Sequence, residues 1–151
     1  YTTDVSKIPL RWKNVNSKEN NKMEIAFLIG RIIVGLYWLM GAVNHFTQVK
    51  SMVPYAKMKN VPMAELAVPG TGVLLLVAAL SIITGFYPVV AVAALVIFLV
   101  PVTFMMHNFW TIEDPMAKMS DMIMFTKNIS MLGYTLILLG IPQPWAFSLA
   151  I

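Results

Sequence analysis

Cysteine is absent from this chain, histidine occurs only twice, and charged residues are scarce. The first absence excludes a disulfide framework, a thiolate metal site and a cysteine nucleophile. The last sets the class. At 12% charged and 58% hydrophobic, the composition lies far from the roughly 25% charged and 45–50% apolar of a soluble domain. The sequence also lacks a Ser/His/Asp arrangement, a phosphate-cradling glycine loop, a haem or dinucleotide motif, and any motif that reads RNA or DNA. No catalytic residue is assigned, and no nucleic-acid partner is expected. An internal repeat, which would favour transport, is missing as well.

What the chain does have is apolar sequence in long blocks, each sufficient to cross a hydrocarbon core of about 30 Å. Mean hydropathy is +0.73. The first block is too long for a signal peptide and has no small-residue cleavage site. The sequence opens on Tyr1 rather than Met, which leaves room for residues ahead of it. The expected fold class is all-α, an integral membrane four-helix bundle whose first partners are membrane lipids.

Residues 1–23 read as an irregular basic tail on the membrane surface, with Trp12 at the interface and Lys7, Arg11, Lys13, Lys18 and Lys22 facing only Asp4 and Glu19. Residues 24–151 form the membrane domain, with spans at about 24–46, 67–86, 89–107 and 119–141. Between the first two, residues 47–64 read as a loop, with Pro62 starting a short helix that carries Glu65. Pro69-Gly-Thr-Gly72 marks a kink or close approach, Pro88 suits a first helical turn, and Pro101 should bend the third span. Residues 108–118 read as a short acidic loop. The lysine-rich tail favours a cytoplasmic N-terminus.

Four crossings place the ends of spans one and three at the same side as the starts of two and four. His45, Glu65, His107, Asn108, Glu113, Asp114, Asp121 and Lys127 therefore share one end of the bundle. The stretch Pro101–Trp110 has the pattern of a helix leaving hydrocarbon, with aromatics at headgroup level. Neutral imidazole is the commonest metal ligand, and nearby carboxylates can complete or orient a site. His45, His107, Glu65 and Asp121 are the candidate metal ligands on that ground. The two histidines come from different helices with no local ligand spacing, so capping or interfacial roles compete. His45, His107, Lys127, Asn128 and Arg31 are candidates for binding a cofactor such as a quinone, through its carbonyls.

Other features have plainer readings beside the functional ones. Arg31 is placed to snorkel or to bind helix-end carbonyls. Lys127 is placed to pair with Asp121 or a loop acid. Asp121, Met124, Asn128, Met131 and Thr135 form a packed seam. Arg31, Gly35, Trp38, Ala42 and His45 share a face, with Gly30 and Gly41 beside it, that should pack on a neighbouring helix. Twelve methionines gather towards the polar end; thioethers bind Cu(I), but methionine is also an adaptable apolar filler.

Several of these segments together resemble the DoxX family of four-helix membrane proteins, which includes a subunit of thiosulfate:quinone oxidoreductase. They are Arg31-Ile-Ile-Val-Gly35 with Gly41 four positions before His45, Met52 through Val61-Pro62, Thr103 through His107-Asn-Phe-Trp110, and Phe125-Thr-Lys127-Asn128-Ile129. The likeness spans about residues 25–140. It departs where many members carry a glutamate further along the second span, since this chain has Val68-Pro-Gly-Thr71 there, and where members often have lysine in place of His45. The resemblance implies residence in a prokaryotic cell membrane and association with other subunits of a membrane oxidoreductase complex. Three functions follow as expectations. The first is an accessory subunit that packs on a quinone-linked enzyme or a copper monooxygenase of the ammonia/methane type, where the partner holds the copper. The second is a quinone-binding component using the His45/His107/Lys127 end. The third is a metal-handling or transport protein.

Overall fold

The computed structural model describes the backbone of residues 10–149 and the side chains of residues 19–149. It is helical throughout, with α1 at Leu10–Thr47, α2 at Val49–Met58, α3 at Ala64–Thr84, α4 at Pro88–Met106 and α5 at Pro115–Ile137. Single 3-10 turns at Phe109–Thr111 and Leu138–Gly140 flank α5. Four helical stretches are long and apolar enough to cross a membrane, namely Glu19–Thr47, Ala64–Thr84, Pro88–Thr111 and Pro115–Gly140.

Three differences from the sequence reading have local causes. The tail expected to be irregular is helical from Leu10 onward and continues into α1; residues 1–9 and the side chain of Trp12 lie outside the described residues. The expected loop at 47–64 contains α2, whose Val49, Met52, Val53 and Ala56 fall at i, i+3, i+4 and i+7 and turn inward. That spacing buries one face of a helix, and Pro54 is tolerated because it lies on the outer side. The short helix carrying Glu65 is not separate: α3 begins at Ala64 and runs through Pro69.

The ends of the helices follow their sequence. Pro88 opens α4 and Pro115 opens α5, where the missing N–H would have lacked a partner in any case. Asp114, expected in a loop, is the N-cap of α5 and accepts the Ala117 N–H at 2.8 Å. Gly85 ends α3 with φ +72°, a left-handed conformation that glycine adopts without steric cost. Inside α4, Pro101 removes one backbone donor, and the Thr103 hydroxyl donates to the Leu99 carbonyl one turn away.

The closest pairing is α1 against α3, followed by α3 with α4 and α4 with α5. The shared face foreseen on the first span is the one buried here: Arg31, Gly35, Trp38 and Ala42 are all covered. Gly35 explains the intimacy, since a Cβ there would fall 2.3 Å from Ile83 Cγ1. Gly72 plays the reciprocal part, with its absent Cβ 2.9 Å from His45 Cβ. At Gly30, by contrast, an added Cβ would meet no described residue within 4 Å. The seam on α5 also forms, with Asp121, Asn128 and Thr135 buried. The α1 and α5 backbones scarcely touch among the described residues, and how that gap is filled distinguishes the two ends of the bundle.

Candidate functional site

At the end where α1 and α4 finish, the gap between α1 and α5 is a cavity of about 310 Å³. Trp38, Gly41 and His45 line it from α1, Phe98 and Val102 from α4, and Asn128 and Met131 from α5. A second cavity of about 380 Å³ lies between α2, α3 and α4, walled by apolar groups that include Met52, Met105 and Met106. His45, Phe98, Val102 and His107 border both cavities. The two imidazoles thus lie at one end of the bundle, each bordering both cavities.

Their bonding differs. His45 Nδ1 lies 2.8 Å from the Gly41 carbonyl. A carbonyl can only accept, so Nδ1 carries the hydrogen, and in the neutral ring Nε2 keeps its lone pair. The ring packs edge-on against Phe98 at 5.8 Å. His107, just past the last residue of α4, sets its Nδ1 3.4 Å from Asp121 Oδ1, a long contact. The other oxygen of Asp121 receives the Lys59 ammonium at 2.6 Å. Both partners of that ion pair are mostly covered, with side-chain exposures of 17% for Lys59 and 12% for Asp121. One carboxylate therefore ties together the residue that ends α2, the end of α4 and the second turn of α5.

This assembly corrects the expected pairings. Lys59, not Lys127, neutralises Asp121, because Asp121 faces inward on the α5 seam while Lys127 is exposed on the helix's other side. Lys127 instead donates to the Met124 sulfur at 3.2 Å. Glu65 is exposed and pairs with Lys57 across the junction of α2 and α3. The candidate metal ligands His45, His107, Glu65 and Asp121 do not converge. Glu65 is spent on Lys57, Asp121 on Lys59, and no group of three or more His, Asp or Glu side chains suited to a metal occurs among the described residues.

Asn128 is buried and lines the first cavity. The Trp38 indole N–H, also on that wall, is buried without an acceptor among the described residues. A chamber with apolar walls, an indole donor and an imidazole suits an apolar molecule bearing a carbonyl or hydroxyl oxygen. Phe109 and Trp110, just past the end of α4, pack edge-on against Phe125 of α5, 5.5 and 5.7 Å away.

Arg31, grouped with the candidate cofactor ligands, lies at the other end. Its guanidinium donates to the Ala146 and Phe147 carbonyls at 3.2 and 3.0 Å, with the rings of Phe27 and Trp145 just under 6 Å from its central carbon. Arg31 does bind carbonyls, though those of the non-helical segment after Gly140 rather than of a helix end. Lys59 is the residue that sequence reasoning missed. The signal was indirect: an acid on a packed seam requires a cation, and the loop before α3 held three lysines.

No curated protein and no solved structure matches the chain. A family model described as DoxX matches residues 26–108, which covers α1 from Ala26 onward through α4 and both histidines but not the Phe125–Ile129 segment. With more than half of its length matched, and with four apolar helices in an all-helical fold, the chain belongs to the DoxX family of membrane proteins.

Proposed function

We propose that this protein is a small integral membrane subunit that packs on a larger membrane oxidoreductase and stabilises it, without a complete active site of its own. The observation that carries this reading is the bareness of α5. Only 17% of its apolar stretch is buried, against 39% for α3, and the uncovered side includes Lys127, which forms no ion pair among the described residues, rather than hydrocarbon alone. Polar groups at membrane depth ordinarily face protein or a cavity. The small-residue face of α1 no longer adds support, since α3 already occupies it. Mild-detergent extraction of the tagged chain from its native membrane, followed by native-gel migration and mass spectrometry, tests the reading. Migration in a complex with redox-enzyme subunits is the expected result, and a lone monomer overturns it.

A second reading is favoured by the unsatisfied Trp38 N–H beside His45. In it, the chamber holds the head of a quinone, with the Trp38 N–H donating to one carbonyl and the His45 Nε2 lone pair accepting from the hydroxyl of the reduced form. Titration with a short-chain quinone should then bind wild type about tenfold more tightly than Trp38→Phe, the loss expected for one hydrogen bond of roughly 1.4 kcal/mol. Equal affinity would remove this reading and leave the subunit role intact.

A further inference from the structure

We propose that the bare side of α5 is a docking surface for one transmembrane helix of the partner, and that this helix carries an aspartate or glutamate opposite Lys127. The proposal rests on the subunit reading above and deepens it by naming the surface and its complement.

The fourth apolar stretch runs over Pro115–Gly140, and Lys127 stands at its midpoint. At 1.5 Å per residue, about 18 Å of helix separates it from either end. A lysine on a helix directs its stem towards the N-terminal side, here the histidine end. The ammonium does not reach the boundary, because it stops at the Met124 sulfur, one turn away. A thioether is a weak acceptor and takes one of three N–H donors. Among the described residues Lys127 forms no ion pair.

Among the described residues, no acid supplies the missing anion at that depth. Asp121, the one acid within α5, is held by Lys59 and faces the interior. Glu19 and Glu24 belong to the first half of α1, towards the tail end, and Glu65, Glu113 and Asp114 to the opposite boundary. A second copy docked through the same face about a two-fold axis would set lysine towards lysine and bring no carboxylate. Thr126 and Ser130 do not provide the demand either, for their hydroxyls donate to carbonyls of their own helix, those of Met122 and Ile123 and that of Thr126 respectively. They and Gly133, around whose Cβ position no described residue lies within 4 Å, give a shallow surface on which another helix backbone can come close. Charge complementarity then selects the occupant, a helix with a carboxylate at mid-membrane depth.

The test uses the full chain in its native membrane, with Ser130→p-benzoylphenylalanine as a photo-crosslinker and Lys127→Met, Lys127→Arg and wild type compared for retention of the complex. The expected adduct is a transmembrane peptide of another subunit with Asp or Glu within about one turn of the crosslink. Retention should weaken on the order of a hundredfold for Lys127→Met, as when one partner of a desolvated charge pair is truncated, and should largely persist in Lys127→Arg. An adduct with a second copy of this chain, with lipid alone or with a helix that carries no acid overturns the proposal. So does retention by Lys127→Met equal to wild type. If the chain still migrates in a large complex under those outcomes, only the surface is wrong; if it migrates alone, the subunit reading falls with it.

Discussion

The two ends of the bundle solve the same problem, a gap between α1 and α5, in opposite ways. At the tail end the chain turns back after α5 and fills the gap with itself. Arg31 binds two carbonyls of the returning segment, Phe27 meets Trp145 edge-on at 5.3 Å, and the Leu149 N–H donates to the Thr84 carbonyl. At the histidine end no segment returns. The gap is a chamber, and one of the groups that line it, His107, is linked through the Asp121 carboxylate to Lys59. A charge used to close a structure is covered and bonded by fixed carbonyls, whereas groups that remain available to a ligand border space. The comparison places Arg31 in a covered clasp and leaves the histidine end bordering open space.

The sharpest way to break that comparison is Arg31→Ala. The substitution removes two charge-assisted hydrogen bonds and the packing of a side chain that is 3% exposed, a loss of about 3 kcal/mol. We expect a lower unfolding midpoint in detergent and faster proteolysis after Ile141; on the second reading proposed above, quinone affinity of intact molecules stays unchanged. Lost quinone affinity in folded protein would mean that the ends are not separate.

Asp121→Ala should cost less, about 2 kcal/mol, because Lys59 is left unpaired but retains a route to water. Lys59→Met combined with Asp121→Leu should recover much of that loss, since replacing both members of a covered ion pair with apolar groups removes the desolvation penalty along with the attraction. A double-mutant cycle on the unfolding midpoint reads the coupling directly. If the two single effects simply add, the Lys59–Asp121 contact is incidental and the histidine end is not held by it.

Local pattern made part of this legible in the sequence, and long-range pairing hid the rest. The four spans, the buried face from Arg31 to His45 and the α5 seam follow from apolar length and helical periodicity, which a short window contains. The placing of His45 and His107 at one end followed from counting crossings, a topological argument that needs no side-chain detail. Helix α2 was within reach of the same periodicity, but three lysines and Pro54 drew attention away from Val49, Met52, Val53 and Ala56. The Arg31 clasp was only half readable. Its acceptors are backbone carbonyls 115 and 116 residues away, and a carbonyl carries no sequence signature. Lys59 lost to Lys127 for Asp121 because proximity in sequence favoured the residue on α5, while direction on the helix forbade it.

The smallest effect expected at the histidine end tests whether charge alone matters there or only covered charge. Glu65 and Lys57 form an ion pair like that of Asp121 and Lys59, yet their side chains are 62% and 57% exposed. Water solvates each member separately almost as well as they solvate each other, and salt screens what attraction remains. Glu65→Gln should therefore leave the unfolding midpoint where it is, at low and at high salt, although it removes one of the few acids at this end. A clear drop that salt abolishes would show that the start of α3 is held electrostatically. The contrast would then lie in the number of charges rather than in their burial, and the Lys59–Asp121 pair would lose its special place beside the chamber.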